Sequence, residues 1–224
     1  MREIPIIFSA PMVRAIWNGT KTQTRRVIKP QPEHHWQNMP SYRCEWISDN
    51  PDSNLWRVKH RIAENPKHDY GDIKCPYGQP GDLLWVREAF ASDGSFIWYR
   101  ADCDDGPPLE NCEYPDGSFH DGKWKPSIHM PKWAARLWLK VTGIRVERVQ
   151  EISEEDARAE GIIDAGCVNC GESEPCGCSD PKPDPIDAFI WLWNSINGKK
   201  PGHAWEDNPW VWVVEFRRID KEAE

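Results

Sequence analysis

The segment NPWVWVVEFRRI, residues 208–219, constrains the fold of this chain more than any other stretch. Its side chains Trp210, Trp212, Val214 and Phe216 stand at every second position, so in an extended strand they share one face. A strand with a continuous apolar face needs a sheet that has something packed on that face. The segment therefore predicts a closing strand of a sheet or a small β-barrel.

Three further stretches predict strands. In QPGDLLWVREAF a Pro-Gly turn precedes a segment in which Leu84 and Val86 alternate with their neighbours. In ARLWLKVTGIRVERVQ, Leu137 and Leu139 alternate in the same way, and Gly143 permits a bulge in the continuing strand. A shorter strand is expected in SFIWYRA.

Three helices are expected between these strands. The first, at about residues 10–18, begins at SAP, because proline is tolerated in a first turn, and ends at Gly19. The second follows Ser153 in EEDARAEG, where early carboxylates suit a helix N-terminus. The third begins after Asp184 and stops at Gly198.

The combination favours an α+β fold built on a small curved sheet, because the chain has neither a glycine-rich dinucleotide loop nor a regular βαβ alternation. We expect one domain over residues 1–224, with insertions at about 30–75, 102–125 and 163–184. The first insertion is rich in Pro, His and Asn and is predicted to be a loop, and the second is acidic and rich in turn residues.

Charge and hydropathy narrow the classes of function. A net charge of −8 argues against a protein that coats long nucleic acids, since the average surface repels phosphate. The 14 tryptophans can stack on bases, although core packing accounts for most tryptophans in proteins. The N-terminal apolar run is broken by Pro5 and no later run approaches membrane-spanning length, so we expect a cytoplasmic protein without a membrane partner.

The sequence NGTKTQTRR, residues 18–26, concentrates threonines and basic side chains directly after the first helix. In a regular strand the threonines face one side and Lys21 the other, which predicts only a half-exposed strand edge. If Gly19 permits a turn or bulge, Lys21 and Thr24 converge instead and make a site. Both interpretations are compatible with the sequence.

A converged lysine and threonine have a definite chemistry. A threonine hydroxyl such as that of Thr24 is a poor nucleophile until a base takes its proton. Lys21 can be that base if burial, or the positive charge of Arg25 and Arg26, lowers its pKa. Glu160 is the candidate to orient the pair, because a carboxylate at the end of its helix faces the negative end of the dipole and needs another partner.

These residues resemble the ASCH domains. GTKTQTRR fits the signature G-x-K-x-x-x-x-R, with Gly19, Lys21 and Arg26 at the three signature positions. QPGDLLWVRE is similar to the family's Gly-Asp turn and strand, ISEEDARAEGI to its acidic helix, and WVWVVEFRRI to its closing strand. As a whole the chain resembles the longer, phage- or prophage-encoded branch. The resemblance implies a PUA-like fold, a small mixed β-barrel with flanking helices, here with long loop insertions.

Within that superfamily, the closest functional resemblance is to the bacterial N4-acetylcytidine amidohydrolases. It implies that Thr24 attacks the acyl carbon, Lys21 activates it and Glu160 holds the lysine, with no cofactor for catalysis. The implied substrate is a modified cytosine nucleoside or a related base. The pocket is expected between the glycine segment, the strand at 85–88 and the acidic helix, with substrate-binding residues Gly19, Arg25, Arg26, Trp85, Arg87 and Glu88. Glu88 is also a competitor of Glu160 for the carboxylate role.

Two other functions are compatible with the same residues. Other ASCH domains are thought to bind or cut RNA, so the segment could grip the phosphates of a short RNA while tryptophans stack on bases. The phage-like branch also suggests a role in virion assembly or against host defence. The acidic net charge favours a small substrate over a long nucleic acid.

The second constellation is CVNCGESEPCGC, in which four cysteines lie within twelve residues with glycine and proline to bend the chain. Four thiolates can close a tetrahedral zinc site, and a site filled by protein ligands is structural. Free thiols on a loop are the alternative. The predicted zinc ligands are Cys167, Cys170, Cys176 and Cys178.

Overall fold

The computed structural model of the protein describes residues 1–31, 43–47, 55–61, 69–93, 95–103, 123–162 and 184–220. In this part of the chain strands outnumber helices, which confirms the α+β class. The strands are β1 (Glu3–Ile7), β2 (Gln23–Val27), β3 (Arg43–Ile47), β4 (Leu55–Arg61), β5 (Asp69–Lys74), β6 (Leu83–Arg87), β7 (Phe90–Ser92), β8 (Ile97–Tyr99), β9 (Trp138–Arg148) and β10 (Trp210–Ile219). The α-helices are α1 (Ala10–Trp17), α2 (Glu154–Ala159) and α3 (Pro185–Asn197).

The central element is a five-stranded mixed sheet in the order β1-β6-β9-β10-β2. β1 runs parallel to β6, and the other neighbours are antiparallel. The predicted bulge is present: the register between β9 and β10 shifts between Glu215 and Phe216, opposite Gly143. The two edge strands approach each other through a side chain, since Arg26 Nη2 of β2 donates to the Ile7 carbonyl at the end of β1 (2.6 Å).

The closing strand β10 is buried on both faces. Trp212, Val214 and Phe216 pack into one core together with residues of α1, as the alternation predicts. Val211 and Val213 point the other way, into a second core formed with α2 and α3. Burying a side chain of this size stabilises a fold by about 1.5–3 kcal/mol, so β10 holds the two layers of helices on one sheet.

Helix boundaries agree with the predictions. α3 begins where the Asp184 carboxylate accepts hydrogen bonds from two backbone amides, and it ends before Gly198. α2 begins where the Ser153 hydroxyl accepts from the Asp156 amide. α1 starts with a proline in its first turn, whereas Ser9 makes no side-chain cap bond there.

The first insertion is not the continuous loop that its composition suggested. β3, β4 and β5 form a separate three-stranded antiparallel sheet within it, in the order β3-β4-β5. The alternation of LWRVKHR, residues 55–61, was the available signal, and the surrounding Pro, His and Asn obscured it. The second and third insertions lie almost entirely outside the described residues.

Two further properties bear on the sequence predictions. Within the described ranges, no helix combines the length and apolar character needed to cross a bilayer. Cys75 is a buried cysteine that remains a thiol, whereas Cys103 is disulfide-bonded.

Candidate functional site

The segment that joins α1 to β2 forms the turn that a lysine–threonine site requires. Gly19 has a φ of 77°, in the left-handed region that favours glycine. The amides of Thr20 and Lys21 then both donate to the Ala15 carbonyl, at 2.9 and 3.1 Å, so the chain turns back on the last turn of α1. Regular strand structure begins only at Gln23. The turn leaves Lys21 outside the ladder of β2.

The turn carries Lys21 to Glu160, at the C-terminal end of α2. The Lys21 ammonium donates to Glu160 Oε2 at 2.6 Å and to the Glu160 carbonyl at 2.7 Å. The backbones also pair, since the Thr22 amide donates to the Ala159 carbonyl (2.8 Å). The side chain of Lys21 is fully buried and that of Glu160 is 5 % exposed. The carboxylate that the helix dipole disfavours is therefore held by a buried ammonium.

Burial controls the protonation of Lys21. Removal of the ammonium from water lowers the pKa of Lys21 below its ordinary value of 10.5. The Glu160 carboxylate raises this pKa, but by less than burial lowers it, and the positive charges of Arg26 and Arg25 lower it further. The amine is consequently easier to deprotonate than a surface lysine, which is what a general base needs.

Arg25 holds the other side of the same carboxylate. Its guanidinium is fully buried, with Nη1 at 3.5 Å from Glu160 Oε1. Nη2 is fixed by the carboxylates of Asp156 (2.8 Å) and Glu147 (3.1 Å). Glu160 thus lies between two cations, with one oxygen toward Lys21 and the other toward Arg25, and its orientation is defined on both sides.

Asp156 is the residue that sequence reasoning missed. It accepts hydrogen bonds from Gln23 Nε2, Arg25 Nη2 and Arg145 Nη2, each at 2.8 Å. Partial burial alone would raise the pKa of Asp156, but the Gln23 hydrogen bond and the two guanidinium charges outweigh it and lower the pKa. From the sequence, the favourable N-terminus of α2 is sufficient to explain a carboxylate at position 156. The alternation of Gln23 and Arg25 was the only signal that the strand and the acidic helix face each other.

A pocket of about 60 Å³ opens beside this ion-pair network, at the free edge of β2. Thr24 lies in its wall, and no described residue forms a hydrogen bond with the Thr24 hydroxyl, which leaves the hydroxyl available to a ligand. The contribution of α3 was not predicted, because its apolar side chains were interpreted as core. The lining residues are Met12, Thr24, Arg25, Arg26, Val27, Glu160, Phe189, Leu192, Trp193, Ile196 and Asn197.

The structure brings together part of the predicted catalytic set. Thr24 and Glu160 line one pocket, and Lys21 is bonded to Glu160. A hydrogen bond between Lys21 and Thr24 is not formed within the described part of the chain, where the lysine donates to Glu160 instead. Catalytic hydrogen bonds of this kind are often formed only when substrate is bound.

Two predicted substrate-binding residues of the segment 18–26, Arg26 and Gly19, differ in their position relative to the pocket. Arg26 lines the pocket, and its guanidinium lies over the Phe8 ring at 5.3 Å while bonding the Ile7 carbonyl. Gly19 does not line the pocket; its contribution is the turn that places Lys21.

None of the three residues predicted from β6 and its end, Trp85, Arg87 and Glu88, lines this pocket. In the sheet, β6 is separated from β2 by β9 and β10. Trp85 packs in a cluster with Trp138, and Arg87 lies over the Trp85 ring (5.4 Å). Glu88 is 1 % exposed and bonded by Arg136 at 2.9 and 3.1 Å. Glu88 is thus paired with Arg136, whereas Glu160 is paired with Lys21.

The predicted zinc loop, with Cys167, Cys170, Cys176 and Cys178, lies outside the described residues. In the ranges that are described, no group of three or more His, Cys, Asp or Glu side chains is arranged to hold a metal ion. The candidate site is accordingly built from lysine, threonine, arginine and carboxylate groups.

Comparison with known proteins does not place the chain in a family. No family model matches the chain, and neither the curated proteins nor the solved structures contain a significant match.

Proposed function

We propose that the protein is an amidohydrolase that removes the acyl group from the exocyclic N4 amine of a modified cytosine nucleoside or a related base. The observation that carries the proposal is the contact between Lys21 and Glu160, 139 residues apart in sequence, at 2.6 Å and beside a pocket lined by Thr24. A buried lysine with a lowered pKa, an orienting carboxylate and an unbonded hydroxyl are the parts of an acyl-transfer site.

The reaction divides into two acyl transfers. The Thr24 hydroxyl oxygen attacks the acyl carbon, and its proton passes to the neutral amine of Lys21. The bond between the acyl carbon and N4 then breaks, and the Lys21 ammonium protonates the departing amine. Water then attacks the threonyl ester while Lys21 takes its proton. The bond between Thr24 Oγ and the acyl carbon breaks, Lys21 returns the proton to the threonine oxygen, and the carboxylic acid leaves. Glu160, held by Arg25 on its other oxygen, keeps the lysine in place throughout.

We further propose that the fold is of the PUA-like ASCH type. The mixed sheet, the acidic helix α2 packed on β2 and the side-chain contact between the edges β1 and β2 support this assignment. In a barrel-like arrangement of this kind the two edges approach each other, as they do where Arg26 bonds Ile7.

A non-catalytic module for RNA or modified bases is the second candidate. Trp133 and Trp191 favour it, since they are 76 % and 77 % exposed and can stack on bases. Arg25 argues against it, because its guanidinium is buried and bonded to two carboxylates rather than offered to phosphate. The geometry therefore supports the enzyme better.

The test of the proposed function is hydrolysis of N4-acetylcytidine by the purified full-length chain, followed as the appearance of cytidine. We expect multiple turnovers with little dependence on salt, since the substrate carries no phosphate. Failure to release cytidine from any of several N4-acylcytidines would transfer the assignment to the binding module, whose affinity for RNA should fall steeply with added salt.

The pH dependence of the reaction follows from Lys21. The base must be neutral in the free enzyme, so kcat/KM should rise with pH as Lys21 loses its proton and then level off. Because burial lowers the pKa of Lys21, the midpoint should lie below the ordinary 10.5. The measurement is kcat/KM for N4-acetylcytidine from pH 6 to 10. A kcat/KM that falls as the pH rises through this range would show that Lys21 is not the base.

We also propose that the loop with Cys167, Cys170, Cys176 and Cys178 holds one structural zinc ion. The four cysteines lie within twelve residues, so this loop can provide all four thiolate ligands of a tetrahedral site. Elemental analysis of the purified protein should find about one zinc per chain, and Cys167→Ser combined with Cys170→Ser should remove it. Because the site is structural, acyl hydrolysis by the wild type should be insensitive to a chelator too weak to remove the metal. Metal-free protein that retains its full stability would contradict the zinc assignment.

A further inference from the structure

The apolar residues of α3 continue beyond the core that they stabilise. Phe189 and Trp193 are each 3 % exposed and pack in the second core with Val211 and Val213. Leu192 and Ile196 lie on the same stripe of the helix, one turn apart, and line the pocket beside Thr24.

This stripe gives the pocket an apolar wall. Leu192 is half-buried, and Ile196 is 47 % exposed although it is a large apolar side chain. Met12 of α1 and Val27 of β2 complete the apolar lining. A wall of this kind, next to an unbonded hydroxyl, is suited to a hydrocarbon group.

Arg25 and Glu160 line the pocket opposite this wall, but part of their polar surface is closed to solvent. The unbonded nitrogens of Arg25 and the Oε1 atom of Glu160 are sealed from solvent. The Arg25 guanidinium also lies 5.9 Å from the centre of the Phe189 ring, so this ring covers it from the α3 side. Of the α3 residues that line the pocket only Asn197, at the end of the helix, is polar, so a base edge or a ribose would find few hydrogen-bond partners along α3.

Given the proposed function, on which this inference rests, only the acyl group has to lie beside Thr24. The pocket volume of about 60 Å³ is roughly four times the space that one water-sized group needs. The methyl group of an acetyl substrate would leave most of it empty. We propose that the α3 wall is an acyl-chain pocket, and that the enzyme prefers unbranched or branched aliphatic N4-acyl groups of about four carbons to acetyl.

The expected preference follows from apolar burial. Each additional methylene that enters the pocket favours the transition state by about fourfold. Two extra methylenes, as in N4-butyrylcytidine, should therefore raise kcat/KM about tenfold over N4-acetylcytidine, allowing for incomplete burial.

The test compares kcat/KM for N4-acetylcytidine and N4-butyrylcytidine in the wild type, Leu192→Ala, Ile196→Ala and the control Trp191→Ala. Trp191 lies on the outer face of the same helix and is 77 % exposed. We expect a butyryl-to-acetyl ratio of about ten in the wild type and the control, and a severalfold smaller ratio in Leu192→Ala and Ile196→Ala. Circular dichroism and thermal melting confirm that each variant is folded; both targets are partly exposed, so folding should be retained.

Each outcome decides the assignment. Turnover of both substrates with a wild-type ratio at or below one would overturn the acyl-chain pocket and leave the proposed function standing. A ratio of ten that is unchanged in Leu192→Ala and Ile196→Ala would place the acyl chain elsewhere and overturn it as well. Absence of turnover for every N4-acylcytidine would overturn the proposed function, and the acyl-chain assignment with it.

Discussion

Thr24→Ala should abolish hydrolysis of N4-acetylcytidine, lowering kcat/KM by at least about 10³-fold, because the variant lacks the oxygen that attacks the acyl carbon. The substitution removes one buried hydroxyl and one methyl from a position that is 3 % exposed, so the loss of stability should be about 1 kcal/mol. The measurement is cytidine release under single-turnover and steady-state conditions, together with a thermal melt. Thr24→Ser should retain part of the activity, since a hydroxyl remains.

The matched control is Thr22→Ala. Thr22 belongs to the same segment, but its side chain is exposed and its fixed contacts are made by backbone atoms. The control should keep wild-type turnover. Turnover by Thr24→Ala at the wild-type rate would exclude Thr24 as the nucleophile, whatever the behaviour of the control.

Glu160→Ala should destabilise the protein by about 3–5 kcal/mol, because it leaves the fully buried ammonium of Lys21 without its carboxylate. For a chain of this size, such a loss corresponds to a melting temperature lower by about 10 °C. Glu155→Ala, on the exposed side of the same helix, is the control and should change stability by less than about 0.5 kcal/mol. Equilibrium denaturation of both variants provides the comparison.

The double variant Lys21→Met with Glu160→Leu separates the loss of charge balance from the loss of packing. It removes both charges, so it should recover much of the stability that Glu160→Ala loses while remaining inactive. The carbonyl of residue 160, which accepts the second Lys21 hydrogen bond, is retained in every variant. If Glu160→Ala costs less than about 1 kcal/mol, the buried ion pair does not hold the site together.

The pH dependence of stability provides a second measurement on the same pair. Because the pKa of Lys21 is lower in the folded than in the unfolded chain, the unfolded state binds more protons between the two values. Folding stability contributed by this group should therefore rise as pH increases through that interval. In Glu160→Ala the rise should begin at a lower pH and its total should be larger, since the carboxylate that opposes the lowering of the pKa is gone.

The network around Asp156 explains why the acidic helix α2 packs on a basic strand. Asp156 and Glu147 bond Arg25, and Arg25 in turn holds the second oxygen of Glu160. Arg145 adds ion pairs to Glu147 and Asp156. The orientation of Glu160 therefore depends on charges from β2, β9 and α2, so the site is supported by three elements that are distant in sequence.

The correct and incorrect sequence predictions have physical causes. The predicted alternation was confirmed in β9 and β10, because it depends on local periodicity. The predicted boundaries of α1 and α3 were confirmed because they depend on terminal Pro, Asp and Gly residues. The three-stranded sheet in the first insertion was not predicted, because the Pro, His and Asn residues around it indicate a loop and obscure the short alternation in residues 55–61. Glu88 was expected beside the pocket but does not line it, because β9 and β10 lie between β6 and β2 and sequence order carries no information on strand order within a sheet.

The sequence by itself determined the class of the fold, the ends of its helices and the chemical types of the candidate catalytic residues, since these depend on the properties of neighbouring side chains. Only the tertiary structure decided that Lys21 reaches Glu160, that Arg25 and Asp156 complete the network, and that α3 walls the pocket. These features depend on which elements pack together and on how much water they exclude. Burial sets the pKa of Lys21, and burial is a property of the folded chain.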